Sequence, residues 1–328
     1  MPYGCQTATG KPLGKFIGTS TSMQAIYQAL RLVARSEAPV FVTGESGTGK
    51  ELCAEVLHLY SARWQGPFIA VNCAAIPADL LESQLFGHLK GAFTGAVRNQ
   101  VGYAAAADGG TLFLDEVAEL SLEMQGKLLR FLQTGHVVPV GATTSRAVNC
   151  RIVCATNADP AERVRQRRFR EDLYYRLHVV PVMLPPLRER GGDIIEVASA
   201  LLERYTAAEK RAFQRLSQGA EQALLRYSWP GNVRELENVI RRAVVMHDGV
   251  VLTESMLNLP VTPLGGMSED KPAIRGASSV LRPLWMVERD AIEQAIVECG
   301  GNVPRAAAIL EVAASTLYRK RLAWKGAS

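Results

Sequence analysis

The segment GESGTGK, residues Gly44–Lys50, decides the fold of this chain. It follows a short apolar run, Val40–Val42, that predicts a buried strand, and it precedes apolar residues at helical spacing from Leu52 to Leu59. Glycines let backbone N–H groups point inward around phosphates, the helix N-terminus adds positive potential, and Lys50 reaches the terminal phosphates. We interpret the segment as a phosphate-binding loop; a Gly-rich turn without a ligand is the alternative.

The loop departs from the usual pattern at one position, because Glu51 stands where Ser or Thr ordinarily binds Mg²⁺. The candidate phosphate-binding residues are Gly44, Glu45, Ser46, Gly47, Thr48, Gly49, Lys50 and Glu51. We refer to Gly44–Lys50 as the phosphate loop.

A pair of acids supplies the second half of the site. Thr111–Leu114 reads as a buried strand and ends in Asp115 and Glu116. Asp115 could hold Mg²⁺, and Glu116 could orient and deprotonate the attacking water. A plain surface acidic pair is the alternative, but adjacent carboxylates at a strand end are costly without a cation. Beside the phosphate loop, the pair predicts an NTPase.

Strands and helices alternate in the first half of the chain. Further apolar runs at Phe68–Val71 and Ile152–Ala155 predict a parallel sheet covered by helices on both faces, an α/β fold. The β signal disappears after Pro185. The pattern then predicts helices at Ile194–Glu209 and Ala220–Tyr227, and a third helix that Asn232 caps with Glu235 as its capping-box partner.

Composition indicates a soluble globular protein. The 328 residues are 48% hydrophobic and 21% charged, and no apolar run approaches the ~20 residues of a membrane-spanning helix. Met1–Lys15 lacks the features of a signal peptide, so we expect a cytoplasmic protein with no membrane partner. Cys150 and Cys154 flank a strand-like segment, and we interpret the cysteines as free buried thiols and not as metal ligands.

The segment GAFTGA lies between the two halves of the site. By its chemistry alone it is a loop of small residues with one aromatic ring and one hydroxyl, and a tight turn is the alternative. It resembles the signature hexapeptide of the sigma-54-dependent activators, or bacterial enhancer-binding proteins, a subgroup of the AAA+ ATPases. The resemblance implies that the loop contacts the sigma factor through Gly91, Ala92, Phe93, Thr94, Gly95 and Ala96.

The resemblance covers residues from about Gly14 to Leu259 and implies further roles. In this family Glu51 is a usual residue, whereas Leu89 stands where the family usually carries Glu. The implied nucleotide-sensing and catalytic residues are Asn72, which couples the catalytic Glu to nucleotide state, Thr156 and Asn157 on the sensor strand, Arg170 and Arg176 as arginine fingers, and Arg234 on the lid. For each arginine, a solvent-facing charge is the alternative.

The last 29 residues carry five cationic residues and one acid, a net charge of +4. Residues 301–320 resemble a helix-turn-helix of the Fis type, in which Asn302 caps the first helix. The residues that pack this motif are Ala306, Ala307, Ile309 and Leu310, and the candidate DNA contacts are Arg305, Ser315, Thr316, Tyr318, Arg319 and Lys320. A helical bundle that only mediates dimerisation is the alternative. Glu311, Ala313 and Ala314 depart from the usual motif, so we expect weak DNA binding per subunit.

These patterns predict five segments and the fold of each. They are a short tail at 1–15, an α/β P-loop AAA+ subdomain at 16–180 with a parallel sheet flanked by helices, an α-helical lid at 181–258, a linker at 259–283, and a small all-α helix-turn-helix domain at 284–328.

The resemblance implies an ATPase that uses ATP and Mg²⁺ and assembles into a homo-hexamer or hetero-hexamer. It would bind double-stranded enhancer DNA and remodel closed complexes of the sigma-54 RNA polymerase holoenzyme. Because only about fifteen residues precede the ATPase domain, we expect a separate regulatory protein to supply control. The alternative is a DNA-binding regulator with nucleotide-controlled assembly that does not act through sigma-54. An AAA+ remodeller in replication or proteolysis would leave the hexapeptide and the C-terminal module unexplained.

Overall fold

A computed structural model describes residues 16–259, 284–310 and 312–325. The chain divides into two compact units, Met1–Pro263 and Leu264–Ser328. The predicted N-terminal tail, all of the predicted linker except Leu259, and Glu311 lie outside the described residues.

The described strands, in chain order, are β1 (Val40–Thr43), β2 (Phe68–Asn72), β3 (Gly87–His88), β4 (Gln100–Val101), β5 (Thr111–Asp115), β6 (His136–Val137), β7 (Arg146–Ala147), β8 (Arg151–Thr156), β9 (Val180–Met183), β10 (Arg215–Leu216) and β11 (Val251–Leu252). The α-helices are α1 (Thr21–Ala34), α2 (Lys50–Leu59), α3 (Ala78–Phe86), α4 (Tyr103–Ala106), α5 (Leu122–Thr134), α6 (Pro160–Arg165), α7 (Glu171–Leu177), α8 (Asp193–Ala208), α9 (Gln218–Arg226), α10 (Asn232–Met246), α11 (Glu254–Leu257), α12 (Leu284–Glu298), α13 (Val303–Ile309) and α14 (Ala314–Lys325). Short 3₁₀ helices lie at Val117–Glu119 and Leu187–Glu189.

Five parallel strands form the central sheet in the order β2-β5-β8-β1-β9. Alternate side chains enter two apolar clusters: Phe41 packs with residues of α3, α5 and α7, whereas Val40 and Val42 pack with residues of α1 and α2. A parallel sheet buried on both faces requires near-continuous apolar strands, and β8 is buried along its whole length. The predicted α/β fold and its four strands are confirmed.

Arg151 is a buried cation at the start of β8, with 1% of its surface exposed. Its guanidinium donates to the carbonyls of Val33 and Ala34, both at 2.8 Å, and of Leu57 at 3.5 Å. These carbonyls lie at the C-terminal ends of α1 and α2, where the helix dipole favours a positive charge. Arg151 therefore joins two helices to the sheet at the amino end of its strands, opposite the end where the phosphate loop lies.

The lid consists of helices α8 to α11 around an apolar core that includes fully buried Trp229, whose indole N–H donates to the carbonyl of Leu224. The prediction that β structure ends after Pro185 is wrong, because β10 and β11 form a short parallel pair. A pair of two-residue strands leaves no alternating pattern long enough to detect in the sequence.

The described residues of the C-terminal unit form three helices, α12 to α14, in agreement with the predicted all-α domain. Asn302 caps α13, since its side-chain oxygen accepts from the backbone N–H of Arg305 at 3.1 Å. Ala306 and Ala307 are buried as expected, but Ile309 is 66% exposed, so its predicted packing role is wrong. Within the part of the chain that the structure describes, no helix combines the length and apolarity needed to cross a membrane.

Candidate functional site

The phosphate loop connects β1 to α2, as the sequence predicts. Gly49 immediately precedes α2 with a φ of 101°, a left-handed conformation that favours glycine. Lys50 is 7% exposed, and its ammonium donates to the carbonyls of Gly44 at 3.0 Å and Glu45 at 3.3 Å. Backbone carbonyls thus hold the Lys50 charge across the loop, in the position from which it can bind a terminal phosphate.

The two acids lie at the carboxyl end of β5, beside the phosphate loop. Glu116 Oε1 is 3.7 Å from Lys50 Nζ, and Glu116 Oε2 accepts from the backbone N–H of Asn157 at 3.0 Å. Asn72, which pairs with Asp115 in the sheet register, donates its amide to Asp115 Oδ2 at 3.4 Å. The structure therefore brings together five predicted site residues from four different segments.

Asp115 has the environment of a cation ligand. Burial raises the pKa of its carboxyl, the charge of Glu116 raises it further, and Lys50 opposes both effects. Its Oδ1 is buried and has no hydrogen-bond partner among the described residues. A buried carboxylate oxygen without a partner is unfavourable unless a cation completes the site, so Asp115 fits the ligand set that Mg²⁺ prefers.

The lid contributes Arg234, whose guanidinium donates to Ser46 Oγ at 3.0 Å, so this predicted residue also reaches the phosphate loop. The predicted capping role of Asn232 is wrong. Asn232 is the first residue of α10, its side chain bonds to the phosphate loop and to Leu187, and Gly231 occupies the N-cap. The predicted capping box does not form either, because Glu235 Oε2 accepts from the N–H of Gly231 at 2.8 Å, whereas the N–H of Asn232 donates to the carbonyl of Trp229.

Two site residues that the sequence analysis did not single out bind the phosphate loop from the lid. Arg188 forms a bidentate ion pair with Glu45. Arg190, 2% exposed, donates to the carbonyls of Thr48 and Pro185, both at 2.8 Å. The signal that could have found Arg188 is Glu45, since an acid in a phosphate-binding loop needs a cationic partner.

The candidate arginine fingers lie apart from these contacts, on and beside α7. Arg170 pairs with Asp172 at 2.7 Å, and Arg176 donates to the carbonyl of Leu132 at 3.0 Å. Both side chains are exposed. Neither makes a described contact with the phosphate loop of the same chain, an arrangement consistent with action on another subunit.

The predicted loop Gly91–Ala96 emerges from the short antiparallel pair β3 and β4. The N–H of Gly91 donates to the carbonyl of Ala96 at 2.8 Å and closes the loop. The ring of Phe93 contacts the buried ring of His88, with centroids 5.0 Å apart, while Thr94 is exposed. The loop thus presents its hydroxyl and part of one aromatic ring to solvent.

The candidate DNA-contacting residues of the C-terminal unit differ in their exposure and in their partners. Arg305, Ser315, Tyr318 and Arg319 are exposed, and Thr316 is half-buried. Lys320 forms an ion pair with Glu288 of α12, so its charge already has a partner within the unit.

Comparisons with known families match three consecutive stretches of the chain. Residues 16–183 match the model described as Sigma-54 interaction domain, residues 188–267 the AAA+ ATPase lid domain, and residues 283–324 the Bacterial regulatory protein, Fis family.

Individual relatives and solved structures give the same result. The regulatory protein LuxO of Vibrio parahaemolyticus is 54% identical over 315 residues, which cover 95% of this chain and 69% of the relative. The transcriptional regulatory protein ZraR of Klebsiella oxytoca is 46% identical over 314 residues, covering 95% of this chain and 70% of the relative. The crystal structure of NtrX from Brucella abortus in complex with ATP has a TM-score of 0.70 and 32% identity, covering 94% of this chain and 68% of that chain.

The three matched domains occur in the predicted order of α/β subdomain, helical lid and helix-turn-helix domain. The first of them has the P-loop NTPase fold of the AAA+ class. This chain belongs to the family of sigma-54-dependent transcriptional activators.

Proposed function

We propose that this protein hydrolyses ATP to activate transcription by sigma-54 RNA polymerase. The observation that carries the proposal is the convergence of Lys50, Asp115 and Glu116 at one edge of the sheet, in a unit that also presents the Gly91–Ala96 loop. Solved ATP and ADP complexes of NtrX, each with a TM-score of 0.70 to this chain, support nucleotide binding by this fold.

In the proposed site, Lys50 binds the terminal phosphates and the N–H groups of the phosphate loop bind the remainder. Asp115 would hold Mg²⁺, which neutralises charge on the phosphates when it is bound. Glu116 orients and deprotonates the attacking water, and Asn157 fixes the Glu116 carboxylate through its backbone N–H. Thr156, the last residue of β8, is fully buried, and its hydroxyl accepts from the N–H of Ala158 at 3.1 Å, which fixes the turn after the strand.

The exposed arginines Arg170 and Arg176 act on the nucleotide of a neighbouring subunit, so the active form is a ring, a homo-hexamer or hetero-hexamer. An arginine supplied in trans makes hydrolysis depend on assembly. Control by a separate regulatory protein would then act on assembly of the ring.

Movement of the Gly91–Ala96 loop engages sigma-54 within the polymerase holoenzyme, while the C-terminal unit binds double-stranded enhancer DNA. The exposed residues Arg305, Ser315, Tyr318 and Arg319 supply the DNA contacts. With Lys320 paired to Glu288, we expect weak DNA binding per subunit, and several subunits in one assembly compensate through multivalency.

The variant Glu116→Gln tests the catalytic part of the proposal. It retains the shape of the side chain but cannot accept a proton, so we expect kcat for ATP hydrolysis to fall by about 100-fold or more. Phosphate release measures kcat, and binding of the fluorescent analogue mant-ADP shows that the nucleotide site is intact. The control Glu203→Gln removes an exposed carboxylate from α8 and is expected to hydrolyse ATP at the wild-type rate. Undiminished hydrolysis by Glu116→Gln would contradict the assignment.

A further inference from the structure

One carboxylate of the phosphate loop joins two separate segments of the lid. Glu45 accepts two hydrogen bonds from Arg188, at 2.6 and 2.9 Å. Glu45 Oε2 also accepts from the Asn232 side-chain amide at 3.0 Å. Arg188 lies at the start of the lid and Asn232 at the start of α10, 44 residues later in the sequence. Glu45 is therefore the shared partner of two lid elements that are distant in the chain.

Asn232 makes this contact close and specific. Its side chain is fully buried, its Nδ2 also donates to the carbonyl of Ser46 at 3.0 Å, and its Oδ1 accepts from the N–H of Leu187 at 2.7 Å. The N–H of the next residue, Val233, donates to the carbonyl of Gly47 at 3.0 Å. The turn Gly231–Val233 of the lid is thus hydrogen-bonded to the backbone of the phosphate loop.

Gly47 shows how close the two backbones are. A Cβ atom at this position would lie 2.4 Å from the carbonyl oxygen of Gly231, so no side chain fits there. The turn Gly231–Val233 therefore cannot approach the phosphate loop more closely than it does.

A carboxylate is unfavourable in a loop that surrounds phosphates, because the negative charge of Glu45 would repel them. The lid neutralises it: hydrogen bonds from Arg188, and then from Asn232, lower the pKa of Glu45 to about 2. Glu45 is therefore ionised at any working pH, and its nearest neutralising charge belongs to the lid.

We propose that Glu45 is a positioning residue that holds the lid on the phosphate loop and thereby places Arg234 for nucleotide binding. Arg234 follows Asn232 by one helical half-turn and already donates to Ser46 Oγ at 3.0 Å. The proposal rests on the proposed function, since it takes ATP as the ligand of this loop. The groups assigned to bond cleavage, Asp115 and Glu116, lie on the sheet and make no described contact with Glu45.

This arrangement predicts that loss of the Glu45 charge weakens nucleotide binding but leaves the rate of ATP turnover nearly unchanged. In the full-length protein, Glu45→Gln keeps the size of the side chain and removes its charge. We expect mant-ADP affinity to fall and KM for ATP to rise, each by about three- to tenfold, as for loss of one well-formed ion pair. We expect kcat to remain within about twofold of the wild type. The lost contact would stabilise bound ATP and the transition state equally, so its removal raises KM and leaves kcat nearly unchanged.

Hydrogen exchange supplies a direct readout of lid position. The N–H of Val233 bonds to the carbonyl of Gly47 across the lid contact, and the N–H of Leu187 bonds within the lid to the side chain of Asn232, which itself contacts Glu45. Peptides containing these two N–H groups should therefore exchange faster in Glu45→Gln. Peptides from β8, buried in the sheet, should exchange at the wild-type rate. A general loss of structure would instead accelerate both.

A double-mutant cycle connects the effect to Arg188. Arg188→Gln removes the same ion pair from the other side, so the double variant should resemble each single variant instead of showing the product of both effects. The matched control is Glu189→Gln, which removes an exposed carboxylate one residue from Arg188 and should bind mant-ADP as the wild type does. If Glu45→Gln does not fold, Arg188→Gln supplies the affinity, kinetic and exchange measurements by itself.

Lys50→Ala separates failure of this inference from failure of the proposed function. Loss of mant-ADP binding in Lys50→Ala establishes the nucleotide site. If that variant loses binding while Glu45→Gln binds and exchanges as the wild type does, or if the Glu45 and Arg188 effects multiply, the positioning role is overturned. If Lys50→Ala binds mant-ADP normally, the nucleotide site itself is wrongly assigned.

Discussion

Glu116 adopts a left-handed backbone conformation, with a φ of 52°, directly after the last strand residue of β5. A residue other than glycine held in this region costs about 1 kcal/mol or more, and such residues occur where the surroundings determine them. The carboxylate is fixed between Lys50 and the N–H of Asn157. The strained backbone turns the Glu116 side chain toward the phosphate loop, while Asp115 continues the strand.

His58 gives a prediction for the effect of pH at the residue scale. It is 6% exposed, and its Nδ1 lies 3.0 Å from Thr111 Oγ1. Burial, and then the charge of Arg151, lower the pKa of His58 below its ordinary value of about 6.5. Below that pH the unfolded chain binds a proton that the folded chain excludes, so stability falls as the pH decreases from about 6.5 toward the lower pKa of the folded state.

Calorimetric melting at pH 7.5, 6.5 and 5.5 checks this expectation. His58→Gln removes the titrating group, so its Tm should decrease less between pH 6.5 and 5.5 than that of the wild type. His247→Gln, which changes an exposed histidine just after α10, should leave the slope of the wild type unchanged. Equal slopes for the wild type and His58→Gln would contradict the role of His58.

At the scale of elements, four strands of the central sheet (β1, β2, β5 and β8) could be predicted because each contains a continuous apolar run next to a turn or a polar side chain. Strand β9 was not predicted, because it includes Pro181 and only Val182 is buried. The positions of Lys50, Asp115 and Glu116 followed, since the carboxyl ends of parallel strands meet at one edge. The role of Asn232 could not be predicted. Asn before a helix ordinarily caps it, and only the phosphate loop, distant in sequence, gives this amide a different partner.

The cap of α13 gives a prediction at the same scale. Asn302→Ala removes the side-chain oxygen that accepts from the N–H of Arg305, and we expect the C-terminal unit to lose about 1 kcal/mol of stability. Hydrogen exchange of peptides spanning α13 measures the change. Asn302→Asp keeps an acceptor and should exchange as the wild type does, so equal acceleration in both variants would argue against the cap as the cause.

At the scale of the whole molecule, the first unit contains both the candidate nucleotide site and the loop assigned to the sigma factor. The loop lies on the segment between β2 and β5, the two strands whose ends carry Asn72 and Asp115. Its base also bonds to a neighbouring segment, since the N–H of Leu89 donates to the carbonyl of Val140 at 3.0 Å. Helix α3 separates the end of β2 from the base of the loop, so the loop is joined in sequence to the strand that carries Asn72.

ATP-dependent formation of open promoter complexes by purified sigma-54 RNA polymerase tests the central claim most directly, with the wild-type protein compared with Thr94→Ala. Thr94 is exposed at the tip of the loop, so its substitution should leave ATP hydrolysis within about threefold of the wild type. We predict that the wild type opens the promoter and that Thr94→Ala hydrolyses ATP without opening it. A wild-type protein that hydrolyses ATP but does not open the promoter, or a Thr94→Ala variant that opens it as well as the wild type, would contradict the account.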